Sequence, residues 1–149
     1  MTDSKKFENL ITSIVTLLKA SNQEVISNYK MKDPDNPTQD RQVDIAIKNA
    51  SFITHVECRL HDKPQDVKWV EELMGRKLSL NAHSMIGVSA SGFTSGAIKK
   101  AKAHNIELRE MVNLEHDDIT SWGKVRQFEA HYFNSPDHHC PSSLTLFQP

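Results

Sequence analysis

Glu57 and Arg59 lie two residues apart at the end of an otherwise apolar stretch, Ile53-Thr54-His55-Val56-Glu57-Cys58-Arg59-Leu60. In extended backbone, residues i and i+2 point to one face. A carboxylate and a guanidinium would therefore leave a sheet side by side. Upstream, Val43-Asp44-Ile45-Ala46-Ile47 sets a second carboxylate inside an apolar run. A short turn at Lys48-Asn49-Ala50-Ser51 would fold the two stretches into a hairpin and bring Asp44 close to Glu57. A carboxylate between burial-prone neighbours is costly unless it is paired or bound to metal. Two carboxylates with a cation beside them are a way to hold Mg²⁺ against a phosphate. A salt bridge from Asp44 to Arg59 or Arg41 would meet the same constraint without any chemistry. Cys58 faces the opposite side of such a strand and reads as a small core residue, not a nucleophile.

The elements that must position these groups follow from periodicity. Phe7, Leu10, Ile11, Ile14, Leu17 and Leu18 recur at helical spacing, which predicts an amphipathic helix over residues 4–20 with Ser4 as N-cap and Glu8 near its start. Strands are expected at 24–31, 41–48 and 52–60, with a turn-rich loop over 32–40. A second helix is expected from Pro64 to about Leu80, with Val67, Val70, Leu73, Met74 and Leu78 as its apolar stripe. Gln65 and Trp69, four apart, would share one face of it. Met85-Ile86-Gly87-Val88-Ser89-Ala90 reads as a buried interior strand. The turn after it, Ser91-Gly92-Phe93-Thr94-Ser95-Gly96, leads into a third helix. Backbone N–H groups around Gly92, Thr94 and Ser95 could receive a phosphate at the positive end of that helix, or Thr94 or Ser95 could simply cap it. Residues 106–111 form a last core strand.

Asp44, twelve intervening residues and then Glu57-Cys58-Arg59 resemble the D…ExK signature of the PD-(D/E)XK nuclease superfamily. The segment from Ile86 through Gly92-Phe93-Thr94 to Leu108 is similar to the strand–turn–helix–strand of Mrr-like restriction endonuclease domains. The resemblance implies a restriction-endonuclease-like α/β fold in three layers, a central mixed β-sheet flanked by helices in the order αβββαβαβ. It implies a metal-dependent endonuclease acting on DNA, with Mg²⁺ or Mn²⁺ held by Asp44, Glu57 and the Cys58 carbonyl. Glu8, from the Phe7-Glu8 pair of the first helix, would reach the metal site, and Gln65 would stand near the catalytic centre. One departure bears on the chemistry: Arg59 stands where the family usually has Lys. A lysine can lose its proton near neutral pH, whereas a guanidinium effectively cannot, so Arg59 can clamp a phosphate but not relay a proton. A nuclease-fold module that binds nucleic acid or a partner domain without cleaving is the alternative.

Composition sets outer bounds. At 149 residues, 38% hydrophobic and 25% charged, the chain has an ordinary globular composition. Residues 1–112 are expected to form the nuclease-type domain, and 113–149 an extension or the start of a following region. No apolar run suits a membrane span or a signal peptide. Two cysteines make no disulfide framework, so a reducing cytoplasm is the expected compartment. A net charge of −1 excludes a protein that coats nucleic acid by bulk charge, although residues 59–109 carry nine basic against five acidic side chains. A homodimer is expected, since one module of this size meets one DNA strand. His131, His138, His139 and Cys140 match no zinc module.

Overall fold

Each apolar period resolves into a regular element in the computed structural model, which describes residues 1–111. The expected tail features, including His131, His138, His139 and Cys140, lie outside the described residues. Helix α1 (Asp3–Leu18) is followed by strands β1 (Glu24–Lys32), β2 (Asp40–Lys48) and β3 (Ile53–Arg59). Then come α2 (Val67–Ser79), β4 (Ser84–Ser89), α3 (Ser95–Ala103) and β5 (Ile106–Glu110), in the order αβββαβαβ. The five strands form one mixed sheet in sequence order. Short connections make β1–β2 and β2–β3 antiparallel, and the helical crossovers α2 and α3 make β3–β4 and β4–β5 parallel. No helix among the described residues is long and apolar enough to cross a membrane.

The sheet is covered on both faces. Phe7, Ile11 and Ile14 of α1 pack on Ile45, Val56, Ile86 and Val88. On the other face Trp69, Val70 and Leu73 of α2 and Ala97 and Ala101 of α3 pack on Met85 and Ile106. The strands in the middle of the sheet are thus buried on both sides, which is why β4 reads as a continuous apolar run.

Some expectations shift. The cap of α1 is Thr2, not Ser4: Thr2 has extended backbone and its hydroxyl accepts the Lys5 N–H. Gln65 lies before α2, not on it. Asp66 caps that helix by accepting the Trp69 N–H, and Gln65 instead makes a parallel bridge to Phe93. Leu17 and Leu78 are 72% and 81% exposed. At about 100° per residue each falls on the flank of its helix or beyond, away from the stripe centred on Phe7–Ile11–Ile14 or Trp69–Val70–Leu73. In the 32–40 loop Asp33 is buried, accepting the N–H groups of Asp35 and Asn36 and pairing with Arg41 at 2.6 Å.

Gly87 of β4 pairs with Glu57 of β3 and sets how closely α2 can approach. A Cβ there would lie 2.6 Å from Leu73 Cδ1 and 3.3 Å from both Trp69 Cη2 and Leu108 Cδ2. Gly87→Ala is therefore expected to lose about 1–3 kcal/mol by overpacking. Urea unfolding of the variant checks this, with an unchanged slope showing that cooperativity is kept.

His55, two residues before Glu57, is fully buried beside the Tyr29 ring, and neither ring nitrogen has a hydrogen-bond partner among the described residues. Burial, with the Arg76 charge nearby, pushes its pKa down to about 4 from 6.5. The unfolded chain therefore binds the His55 proton more readily. Its contribution to stability is full above about pH 6.5 and is lost as pH falls toward 4. The thermal midpoint of His55→Phe should accordingly fall less than that of the wild type between pH 7 and pH 5.

Candidate active site

The chemistry gathers where the sheet opens. The β2–β3 ladder runs from Lys48↔Ile53 to Ile45↔Val56, and Asp44 and Glu57 occupy the next opposed positions. On the other side of β2 the ladder skips one pair, between Ser27↔Ile45 and Tyr29↔Val43. The residue facing Asp44 there is Asn28, in the left-handed region with φ 50°. Asp44 thus sits at a break in pairing on both sides of its strand. Val43 and Ile45 on either side of it are fully buried and fix its backbone, while Asp44 itself is half-buried.

Asp44 and Glu57 emerge on the same face and lie close enough to share a hydrogen bond. Burial raises the Glu57 pKa to about 7, and the Asp44 charge adds to the rise. Burial also raises that of Asp44, offset in part by the Cys58 N–H, which donates to Asp44 Oδ2 at 2.8 Å. N–H and C=O of one strand residue face the same neighbour, so the Cys58 carbonyl faces this gap too. The Cys58 thiol points away, against the core under α1. Burial lifts its pKa well above the ordinary thiol range, as suits a packing residue.

Glu8 reaches this end of the sheet from α1, and its charge helps raise the Asp44 pKa. Its carboxylate is paired with Lys5 at 2.7 Å, and Lys5 also donates to Asn28 Oδ1. The cation on Glu57 comes from α2. Arg76 Nε and Nη2 both approach Glu57 Oε1, at 2.8 and 2.7 Å, and Nη2 also donates to the Gln42 carbonyl at 2.7 Å.

Arg59 belongs to a second group on the same side of the sheet. Its guanidinium lies over the Trp69 ring, 4.9 Å from the centroid, and Trp69 stacks in turn on Phe93 at 5.8 Å. Arg59 Nη1 donates to Gln65 Oε1 at 3.3 Å, and Nη2 stands 3.5 Å from Glu72 Oε2. Gln65 is buried and firmly held. Its N–H donates to the Gly92 carbonyl, its carbonyl accepts the Thr94 N–H, and its amide donates to the Lys63 carbonyl. The Gly92–Ser95 turn therefore first serves to hold Gln65. Gly92 has φ 85° and lies against the Glu110 carboxylate, and the Thr94 hydroxyl caps α3 by accepting the Ala97 N–H.

The structure thus brings together Asp44, Glu57 and Cys58, with Glu8 at the margin, and separately Arg59 with Gln65. Sequence reasoning missed Arg76, Glu72, Lys5 and Asn28. Arg76 had a signal: it is three residues after Leu73 and seven after Trp69, so it shares their sheet-facing side of α2.

The described residues hold no group of three or more His, Cys, Asp or Glu placed to bind a metal by side chains alone. Two half-buried carboxylates next to a backbone carbonyl nevertheless make an all-oxygen donor set. Such a set fits a hard cation that keeps several of its waters, as Mg²⁺ does, and does not fit zinc.

Two solved structures share the fold. The crystal structure of AF1548, a protein of unknown function, matches with a TM-score of 0.60 at 16% identity, over 77% of this chain and 64% of that one. VC1899 from Vibrio cholerae matches with a TM-score of 0.61 at 16% identity, over 87% of this chain and 35% of that one. The chain thus spans under two thirds of either relative. No curated protein matches it in sequence. The Mrr catalytic-domain family model (Mrr_cat), described as restriction endonuclease, matches residues 2–116. With most of its length inside that match, and with the mixed sheet and layered helices described above, the chain belongs to the Mrr-type restriction endonuclease family.

Proposed function

We propose that this domain is a metal-dependent endonuclease that hydrolyses DNA phosphodiester bonds, using Mg²⁺ or Mn²⁺. The observation that carries the reading is the half-buried Asp44–Glu57 pair at the opening of the sheet, with partial burial holding both pKa values up. The two carboxylates and the Cys58 carbonyl would hold the cation. A divalent cation bound there supplies charge to the phosphoryl oxygens and a more acidic water. Glu8, tied to Lys5, acts from outside that donor set.

Arg59 is the phosphate clamp in this reading. Stacking on Trp69 and the contact to Gln65 fix the plane of its guanidinium, and a planar fork held in advance loses little freedom on meeting a phosphate. Gln65 is a positioning residue for Arg59. Gly92 and Thr94 act through Gln65, which their backbones hold, and Ser95 in the first turn of α3 keeps the phosphate contact. Because the domain offers one carboxylate pair, cutting both strands of a duplex calls for a homodimer. The cytoplasm is the compartment that joins such an enzyme to its substrate.

The second reading is a nuclease-fold module that binds nucleic acid or a partner without cleaving. It is favoured by the engagement of Glu57 with Arg76 and of Arg59 with Glu72. Mg²⁺ titration followed by a plasmid-nicking assay separates the two.

Asp44→Asn keeps an acceptor for the Cys58 N–H and removes the charge. It is expected to abolish Mg²⁺-dependent nicking, while the metal-free thermal midpoint stays equal or rises as like-charge crowding is relieved. A variant that unfolds would make Asp44 a structural partner and end its metal role. Arg59→Ala should lower the nicking rate by about two to three orders of magnitude, the usual loss for a charge stabiliser in the transition state. Arg59→Lys should fall between, since it keeps the charge and loses the stacked fork. Equal nicking by wild type and Arg59→Ala would remove the guanidinium from the chemistry.

A further inference from the structure

The cation that touches the carboxylate pair is Arg76, from the helix opposite, and the way it is held gives it a role of its own. Its Nε–H donates to Glu57 Oε1 at 2.8 Å, and Nη2 stands 2.7 Å from the same oxygen as an ion pair. The same Nη2 also reaches the Gln42 carbonyl at 2.7 Å. The guanidinium therefore bridges β2 and β3 beside Asp44, across the gap that the Cys58 carbonyl faces. Charges close locally: Glu8 is matched by Lys5, and among the described residues Arg76 is the cation paired with the Asp44–Glu57 carboxylates, which carry one charge more than it does when both are ionised. A divalent cation in that gap would share it with a guanidinium of like charge. In a partly buried site that repulsion is only weakly screened. Replacing Arg76 with a divalent cation would instead leave Asp44 and Glu57 balanced. The Arg76 side chain is 31% exposed, so it can swing outward into water without crossing the core.

We propose that Arg76 is the exchangeable counter-ion of this site: it holds Glu57 in the metal-free protein and releases it when a divalent cation binds. This rests on the reading of Asp44 and Glu57 as metal ligands and adds to it how the metal is admitted. Arg76 keeps two crowded carboxylates in place before loading and sets the metal concentration at which loading occurs. A released guanidinium remains at the mouth of the site, where an anionic substrate would favour its outward position. Arg76 is in this sense a positioning residue that acts through Glu57.

The exchange can be read in the wild-type protein by nitrogen-15 NMR of the arginine side chains during Mg²⁺ titration. In the metal-free protein the Arg76 Nε–H should be slow to exchange with solvent. Saturating Mg²⁺ should shift the backbone amides of Asp44, Glu57 and Cys58 and, in step, return the Arg76 Nε–H to the exchange rate of a solvated arginine. Shifted amides with an Arg76 Nε–H that stays protected would overturn the exchange and leave the metal-site reading standing. An absence of any shift would overturn both. Calorimetry with Mn²⁺ gives an independent measure. Arg76→Met should bind Mn²⁺ about tenfold or more tightly than the wild type, with a lower metal-free thermal midpoint, because its competitor for Glu57 is gone. Arg76→Lys, which keeps the charge but not the two-pronged contact, should lie between, and it serves if the Met variant does not fold. Equal or weaker Mn²⁺ binding by a folded Arg76 variant would show that the guanidinium supports the metal and does not compete with it.

Discussion

Two carboxylates half-buried side by side cannot both stay ionised without positive charge to answer them, and most of this domain's working end follows from that constraint. Asp44 is fixed between two fully buried neighbours, and Glu57 lies opposite it. Everything nearby either supplies charge or rations it. Arg76 holds Glu57, Lys5 neutralises Glu8, and the Cys58 N–H donates to Asp44. The raised pKa values of Asp44 and Glu57 show that these partners fall short of full compensation. An oxygen-only pair left in that condition suits a hard cation better than a soft one.

That arrangement depends on α2 packing directly over a glycine of the sheet. Gly87, opposite Glu57, removes the side chain that would otherwise meet Leu73 and Trp69. The close approach lets one side of α2 deliver Trp69, Glu72 and Arg76 to the C-terminal end of β3. It also explains how Arg in place of the usual Lys is accommodated at position 59. A lysine needs only space and a counter-charge, but a guanidinium needs a flat surface and planar acceptors. Trp69 provides the surface, itself stacked on Phe93, and Gln65 provides an acceptor.

Much of the fold was legible in the sequence because its elements carry strong, separate periods. The alternation around Asp44 and Glu57, the continuous apolar run of β4 and the stripe of α1 each admit one reading. The pairing of Asp44 with Glu57 was legible too, since strand parity and a short hairpin leave little freedom. What the sequence concealed was contact between elements far apart in the chain. Nothing local to Arg76 indicates Glu57, nineteen residues earlier. The backbone bridge from Gln65 to Phe93 depends on where α2 begins, and that was misjudged because Pro64 offers a plausible start while the capping side chain is Asp66. Exposed Leu17 and Leu78 were read into apolar stripes for a related reason: hydrophobicity is visible in sequence, but the width of the covered face is not.

The split between the two arginines carries the last step. In the familiar signature one cation on the carboxylate strand stands beside the metal ligands. Here the strand cation, Arg59, stacks on Trp69 of α2 and pairs with Glu72 there, while the cation on Glu57 is Arg76, from α2 itself. A single lysine could both neutralise the carboxylates and meet the substrate, because its flexible stem serves either geometry in turn. Guanidinium groups are less adaptable: each takes its strength from a fixed plane and several simultaneous donors. Dividing the work then follows from the substitution. One guanidinium is fixed by stacking in a geometry suited to an incoming phosphate, and the other compensates the carboxylates from across the gap. A change at position 59 should therefore be felt at the substrate, and a change at position 76 at the cation.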